Sequence, residues 1–231
     1  MTSPLTYLGL TLALVGSLLA TPSARADDDD HDGTRFEVTI TNLTRGQQFT
    51  PILVARHKSN VKLFELGKPA SAELAILAED GSTAPLAGAL SALPGVAQVV
   101  SGTGLTNPGA TTTLIIEGRR GFGYFSVAAM LIPTNDAFVA LNGVPLPRGY
   151  DKVTMTAVAY DSGSERNDEL CASIPGPFFI ECGGSGGGAA PAGGEEGYVH
   201  IHAGIHGIGN LLAAQRDWRN PVALITVRRL R

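Results

Sequence analysis

Motifs that mark common enzymes are missing from this chain of 231 residues. It contains no Gly-x-Ser-x-Gly turn for a nucleophilic serine, no glycine-rich phosphate-binding loop and no His-Glu-x-x-His zinc motif. Ser164 lies between Gly163 and Glu165 with no obvious base beside it, and nothing in the sequence pairs His206 with a serine. The sequence therefore predicts a protein that is not an enzyme.

Aromatic and charged residues are also scarce, at 6% and 16% of the chain, whereas glycine occurs 29 times. Because apolar residues still make up 44%, this composition indicates a folded protein with many turns rather than a disordered chain. The formal charge is −4 and the Lys and Arg residues are scattered, which argues against a nucleic-acid partner. They cluster only at Arg228, Arg229 and Arg231, a pattern typical of a solvated chain end.

Long apolar runs are confined to the N-terminus. Residues 8–20 form an apolar run of signal-peptide length, too short to span a bilayer comfortably, and Ala24-Arg25-Ala26 has the form of a cleavage site. No Lys or Arg precedes the run, so only the N-terminal amine supplies positive charge there. The sequence predicts a cleaved secretory signal over residues 1–26, with a retained N-terminal anchor as the alternative. The mature protein is then expected to be secreted, periplasmic or at the cell surface, with no membrane span.

The remaining chain is predicted to form a single domain over residues 35–231. An acidic run just before it indicates a solvated, disordered spacer over residues 27–34. Within the domain, short stretches of alternating apolar and polar residues are separated by Gly, Pro and Asn turn signals, a pattern typical of an antiparallel β-sandwich. Residues 69–78 and 84–93 are rich in Ala and Leu and predict a short helical insertion packed across the end of the sheet. The predicted fold class is all-β.

The stretch most informative about function is residues 151–169. Residues 153–160 alternate with a period of two and are rich in β-branched side chains, which predicts a strand. The polar loop after it carries Asp161 and Glu165, and Asn135-Asp136 lies at another predicted strand end. Carboxylates brought together in this way must stay solvated or bind a cation, because like charges repel, and calcium prefers such oxygen ligands. On these residues alone, a solvated acidic loop is the alternative.

Three histidines form a second candidate metal site. His200 and His202 share one face of a predicted strand, and His206 follows a glycine turn. Three imidazoles this close could hold zinc or copper, but no cysteine or carboxylate at the right spacing completes the set. The histidines are therefore predicted to be structural or weakly metal-binding rather than catalytic.

The chain has two cysteines, Cys171 and Cys182, in a segment rich in glycine and proline. In an exported protein, an even number of cysteines at short spacing predicts a disulfide bond. Two unpaired thiols would fit a cytosolic protein better than this one.

Several motifs, in their order along the chain, resemble the spondin domain. That domain occurs near the N-terminus of F-spondin and in mindin, and alone in many bacterial secreted proteins. The segments that carry the resemblance are 36–44 (FEVTITNLT), 134–138 (TNDAF), 161–165 (DSGSE), 204–207 (GIHG) and 217–222 (DWRNPV). Together they extend over most of residues 35–230.

The resemblance implies a C2-like β-sandwich with a calcium site at one end. The calcium ligands of the family carry over to Asp136, Asp161 and Glu165. Asn135 and Ala137 replace a proline and a tryptophan of the animal motif, and Glu165 replaces an aspartate, so the geometry of the site differs more than its charge. Further candidate ligands are Asn135, Asn167 and Asp168.

The residues and the resemblance together favour an exported, calcium-binding, spondin-like module that binds an unidentified protein or glycan outside the cell or at its surface. Animal members of the family act in matrix adhesion and in recognition of cell-surface or microbial ligands. One alternative is a secreted metalloenzyme or metal-handling protein that uses His200, His202 and His206. Another is a purely structural envelope protein.

Overall fold

A computed structural model of the protein describes residues 33–176, 179–184 and 186–231. These residues contain ten strands and three helices. In chain order the elements are β1 (Thr34–Asn42), β2 (Gln48–Phe49), β3 (Leu53–His57), α1 (Ala72–Asp80), α2 (Ala84–Ser91), β4 (Val96–Ser101), β5 (Thr111–Gly118), β6 (Tyr124–Ile132), β7 (Ala137–Pro145), β8 (Val153–Asp161), β9 (His200–Ile201), α3 (Ala213–Arg216) and β10 (Ala223–Arg229). The predicted signal peptide and the acidic run 27–32 lie outside the described residues. In the part of the chain that is described, no helix is both long enough and apolar enough to cross a membrane.

The strands form an antiparallel sheet that folds over on itself. Their order is β4-β3-β6-β7-β8-β10-β1-β5, with β2 added to β6 and β9 added to β8. Strand β8 joins the two layers, because residues 153–157 pair with β10 whereas residues 158–161 pair with β7. At the other side β4 approaches β5, where the backbone N–H of Glu117 donates to Oε1 of Gln98 at 2.6 Å. The predicted all-β sandwich is confirmed, in a form that is nearly a closed barrel.

The main core lies between the two layers and follows the period of two of a strand. Val38 and Ile40 of β1 face it, as do Val127 and Ala129 of β6 and Ile225 of β10, and all five side chains are fully buried. Each buried valine or isoleucine contributes roughly 1.5–3 kcal/mol of hydrophobic free energy. This core is the rigid support on which the loops at both ends of the sandwich rest.

A second apolar cluster lies on the outer face of one layer. It is formed by Leu53, Leu74, Leu77, Leu86, Leu90, Ala128 and Phe138. Helices α1 and α2 therefore cover the face of β3, β6 and β7, and do not lie across the end of the sheet as predicted. Strand β6 is buried on both faces by this arrangement, which explains its nearly continuous apolar sequence, YFSVAAMLI.

The predicted disulfide bond between Cys171 and Cys182 is confirmed, with Cα atoms 5.4 Å apart. The cysteines lie in two short 3₁₀ turns that flank a loop. Ile174 and Phe179 of this loop enter the main core. The bridge thus closes a short loop within the long connection after β8, and Ile174 and Phe179 fasten that loop to the core.

Candidate metal centre

Two buried aspartates lie at one end of the sandwich. Asp136 immediately precedes β7 and Asp161 ends β8, where it pairs with Ala137 across the ladder. Asp161 continues the buried face of Ala157 and Ala159, so its side chain points toward the interior. Both aspartates are almost completely buried. Rigid antiparallel pairing therefore brings two carboxylates to the end of the core.

Asp136 has one carboxylate oxygen that is well satisfied and one that is not. Oδ2 accepts hydrogen bonds from Oγ of Ser162 at 2.9 Å and from the backbone N–H groups of Ser164 at 2.9 Å and Glu165 at 3.1 Å. Oδ1 is buried and has no hydrogen-bond partner among the described residues. Burial raises the pKa of Asp136 although these hydrogen bonds lower it. Because an unsatisfied buried oxygen is costly, Oδ1 is the atom of this site best suited to bind a cation.

Asp161 is held by its own loop. Its Oδ1 accepts the backbone N–H of Gly163 at 2.8 Å, and its Oδ2 accepts Nδ2 of Asn167 at 2.7 Å. Burial, and then the charge of Asp136, raise the pKa of Asp161 to about 7. In the described part of the chain, two histidines face Asp161, and no lysine or arginine pairs with either aspartate. A divalent cation would therefore relieve a repulsion that the protein itself leaves uncompensated.

A second segment brings Glu196 and His200 to Asp161. Gly163 permits this approach, because its φ is +65° and a Cβ there would lie 2.3 Å from the backbone oxygen of Tyr198. Nε2 of His200 lies 3.6 Å from Oδ1 of Asp161 and 4.0 Å from Oε2 of Glu196. The ligand atoms of these three residues all lie within 4.8 Å of one another, and no other such group occurs among the described residues.

His202 also faces Asp161, with Nε2 at 3.8 Å from Oδ2. Its Nδ1 accepts the backbone N–H of Gly204 at 2.9 Å, so the neutral ring carries its proton on Nε2. Burial, and then the charges of His200 and His206, lower the pKa of His202 to about 3. His206 is exposed. The three predicted histidines thus differ in role, and His200 alone belongs to the trio with Asp161 and Glu196.

Glu165 is held by a different part of the same end. Its Oε1 accepts the backbone N–H of Ala190 at 3.0 Å, and its Oε2 is buried with no hydrogen-bond partner among the described residues. Burial, and then the charge of Glu79 in α1, raise the pKa of Glu165 to about 7. A cavity of about 160 Å³ lies beside these two glutamates. We call the following set the acidic end: Glu79, Asp136, Asp161, Glu165 and Glu196.

Two of the three further candidate ligands are engaged elsewhere. Nδ2 of Asn135 donates to Oδ1 of Asp168 at 3.1 Å, and Oδ1 of Asn135 accepts a backbone N–H. Burial alone would raise the pKa of Asp168, but hydrogen bonds and the charge of Arg166 lower it. Asn167 differs, because its Nδ2 donates directly to Asp161. Of the three, Asn167 is therefore the one in contact with the candidate site.

Sequence reasoning missed two members of the acidic end. It did not single out Glu196, although the spacing of four residues to His200 was an available signal. It also judged that no carboxylate completes the histidine set, which needs correction because Asp161 and Glu196 both approach His200. Glu79 lies in a helix far away in the chain, and no local pattern connects it to Asp136.

The fold and this carboxylate-lined end define an all-β module of the spondin type. The Spondin_N family model matches residues 40–168, more than half of the chain, and the chain belongs to this family. The match includes Asp136, Asp161 and Glu165, and it ends before Glu196 and His200. No curated protein matches the chain.

Proposed function

We propose that this protein is an exported spondin-type module that binds calcium at the acidic end and recognises a ligand outside the cell or at its surface, without enzymatic activity. One observation carries the proposal. Oδ1 of Asp136 is buried next to Asp161 and has no hydrogen-bond partner among the described residues. Burial, and then the charge of Asp136, raise the pKa of Asp161 to about 7. The disulfide bond supports export, because such bonds persist mainly in oxidising compartments.

The types of donor atom fit calcium, although the ligand atoms of Asp136, Asp161 and Glu165 do not all lie within 4.8 Å of one another in the free protein. Asp136 and Asp161 offer carboxylate oxygens, and Oε2 of Glu165 has no competing hydrogen bond among the described residues. Calcium accepts six to eight oxygen ligands, so backbone carbonyls of the irregular loop and water would complete the set. Magnesium requires a tighter octahedral arrangement, which a loop of this kind is less able to supply.

The surface beside the acidic end supports a role in ligand binding. Tyr198 and Ile201 flank His200 and leave 45% and 48% of their surfaces exposed. Exposed large apolar side chains next to a charged site are a common feature of binding surfaces. A bound cation would neutralise the acidic end and allow a protein or glycan ligand to approach these side chains.

A specific observation also favours a second candidate. The trio of Asp161, Glu196 and His200 combines two carboxylates with an imidazole, and such mixed ligand sets suit zinc better than calcium. Zinc at this trio would make the protein a metal-handling protein or a metalloenzyme. This alternative shares Asp161 with the calcium site, so the two proposals differ in their other ligands.

Metal analysis of the purified mature protein, followed by calorimetry with calcium, magnesium and zinc, tests both proposals. The calcium proposal expects a bound calcium ion that Asp161→Asn abolishes, whereas the exposed Asp151→Asn, at the other end of β8, leaves calcium binding unchanged. Combining Glu196→Gln with His200→Ala should preserve calcium binding and remove zinc binding. Absence of calcium binding to the wild type, together with tight zinc binding that this double variant loses, would overturn the calcium proposal in favour of the alternative.

A further inference from the structure

An arginine is buried at the end of the sandwich opposite the acidic end. Arg56 of β3 is 3% exposed, and its guanidinium donates to the backbone oxygens of Phe122 at 2.8 Å and Thr34 at 2.5 Å. It also donates to Oγ1 of Thr34 at 2.6 Å and to the backbone oxygen of Arg119 at 3.4 Å, and it lies 5.1 Å from the centre of the Phe36 ring. All these acceptors are neutral, and no carboxylate pairs with Arg56 among the described residues. A buried charge without a counter-charge is unfavourable, so this end of the fold is prepared for an anion.

Arg56 lines a cavity of about 450 Å³ whose other charged residues are Arg120, Arg148 and Arg229. The cavity lies at the far ends of β7 and β10, because Pro145 and Arg229 are the last residues of those strands. No acidic residue lines it. We call these four arginines the basic end. The volume falls within the range of roughly 300–1,000 Å³ that is usual for small-molecule sites.

Two carboxylates on the neighbouring strands β5 and β1 are already paired with other arginines. Glu117 binds Arg35 at 2.8 Å, and Glu37 binds Arg228 at 2.8 Å. In the described part of the chain, none of the four arginines of the basic end forms an ion pair. In a chain of net charge −4, this is a local excess of positive charge. Four unpaired guanidinium groups around one cavity repel one another unless an anion lies between them.

We propose that the basic end binds a phosphate or sulfate monoester, with Arg120 and Arg148 binding the oxyanion and the positive charge of buried Arg56 attracting it. The planar fork of a guanidinium donates two parallel hydrogen bonds to an oxyanion. A phosphate or sulfate group can bind more arginines in this way than a single carboxylate can. The cavity has room for the group that carries the ester, next to the half-buried ring of Tyr124. This site is independent of the acidic end and of any metal bound there.

Calorimetry with inorganic phosphate, sulfate and acetate at constant ionic strength tests the site. A chelator is present throughout, so that a metal at the acidic end cannot bind the anion. We expect saturable binding of phosphate and sulfate, and binding of acetate that is weaker by about tenfold or more. Arg120→Gln and Arg148→Gln should each weaken phosphate binding by about tenfold, since each removes a charged donor pair. Both side chains are exposed, so these variants should fold normally.

Two matched controls and two probes complete the experiment. Arg219→Gln removes an exposed arginine that pairs with Asp217, and it should leave phosphate binding unchanged. Asp161→Asn should also leave it unchanged, which separates this proposal from the calcium proposal. Binding of glucose 1-phosphate would support a soluble or glycan-borne ester, and binding of phosphatidic acid vesicles over phosphatidylcholine vesicles would support a lipid headgroup. Equal responses to all three anions, or phosphate binding that survives both arginine variants, would overturn the proposal.

Discussion

The Nε2 atom of His202 lies 3.8 Å from Oδ2 of Asp161, and the two residues are only 5% and 1% exposed. Because Nδ1 of His202 accepts the N–H of Gly204, the proton of the neutral ring is on Nε2 and faces the carboxylate. At 3.8 Å this contact is longer than a hydrogen bond, and Nε2 of His202 has no hydrogen-bond partner among the described residues, so its N–H dipole is the means by which His202 favours the charged form of Asp161. His202 therefore supports Asp161 in its ionised state and is not available through Nε2 as a metal ligand.

The first prediction follows from this arrangement. Replacing His202 with Leu removes the N–H that faces Asp161 and should weaken calcium binding by about 10–100-fold, the usual effect of losing a group that orients a ligand. The measurement is calcium calorimetry on folded protein. His206→Leu is the control and should change calcium affinity little, because His206 is exposed. Equal losses in the two variants would show that His202 has no specific effect on Asp161.

A second histidine, His57, is fully buried at the end of β3, on the same outer face of the strand as Leu53. Nδ1 of His57 lies 2.8 Å from the backbone oxygen of Lys58, so it carries the ring proton, and Nε2 accepts from Oγ of Ser126 at 2.8 Å. The same hydroxyl accepts the N–H of Gly143 at 2.8 Å, beside the irregularity in the β6–β7 pairing. Burial lowers the pKa of His57, the charge of Lys62 adds to this effect, and the hydrogen bond to Lys58 opposes it.

The second prediction concerns pH. Since the pKa of His57 is lower in the folded protein than its value of about 6.5 in the unfolded chain, the unfolded chain binds the proton first as the pH falls. The stability contributed by neutral His57 is thus complete above about pH 6.5 and declines below it. In urea unfolding, His57→Gln should show a smaller loss of unfolding free energy on acidification than the wild type. Ser126→Ala, which keeps the titrating ring, is the control; identical pH slopes in all three proteins would refute this role.

The sequence was most informative where one strand could be read by itself. The period of two in residues 153–160 predicted β8, and the same alternation places Asp161 on the inward face. The alanine- and leucine-rich segments predicted α1 and α2, but composition indicates that a helix is buried and not which surface buries it. For that reason the helices were predicted at the end of the sheet and lie on its face.

Both charged ends were harder to predict because tertiary structure assembles them. Arg56, Arg120, Arg148 and Arg229 come from four separate parts of the chain, and the cluster at the C-terminus alone suggested a solvated end. Prediction of the carboxylates was partial for the same reason: strand ends indicated Asp136 and Asp161, but Glu79 and Glu196 arrive from a helix and a long loop. Local sequence patterns indicate which side chains are candidates for a site, and only the tertiary structure shows which of them lie close together.

The third prediction concerns Glu169, a buried residue with a left-handed φ of +56°. Its carboxylate accepts the backbone N–H groups of His206 at 2.6 Å, Gly207 at 2.7 Å and Ile208 at 2.9 Å. Glu169→Gln puts an NH₂ group among these donors, so at least one loses its acceptor and unfolding free energy should fall by about 2–3 kcal/mol. Glu65→Gln, an exposed control, should stay within about 0.5 kcal/mol of wild type in the same urea titration. Equal effects of the two changes would show that the turn does not depend on the Glu169 carboxylate.

The fourth prediction concerns the disulfide bond. Replacing Cys171 and Cys182 together with Ser should lower the unfolding free energy by about 2–3 kcal/mol, because the unfolded chain is no longer constrained by a short closed loop. Calcium affinity should be retained, since the loop is also held by Arg216, which binds both carboxylate oxygens of Glu181 at 2.7 and 2.8 Å. Urea unfolding and calorimetry measure the two quantities. Unchanged stability in the double variant would show that the bridge adds nothing to the fold.

The last prediction separates charge repulsion from cation binding at Asp136. In Asp136→Asn the amide oxygen can still accept the N–H groups that now donate to Oδ2, and the amide nitrogen replaces Oδ1, which has no hydrogen-bond partner among the described residues. The change therefore removes a negative charge beside Asp161 at little structural cost. Burial, and then the charge of Asp136, raise the pKa of Asp161 to about 7, so Asp161 is charged at about pH 8. At that pH, with a chelator present, the variant should be at least as stable as the wild type. With calcium at about a hundredfold excess over its dissociation constant, the wild type should gain about 2.7 kcal/mol and the variant much less.

The order of stability should therefore reverse between the two conditions, as measured by urea unfolding with chelator and with calcium. Asp151→Asn, which removes an exposed carboxylate at the other end of β8, should show no reversal, because its charge lies far from Asp161 and is screened by solvent. A variant of Asp136 that is less stable than the wild type by the same amount in both conditions would mean that Asp136 serves only as a hydrogen-bond acceptor for the loop after β8. The reversal itself requires that two carboxylates repel in the free protein and that a cation joins them in the bound one.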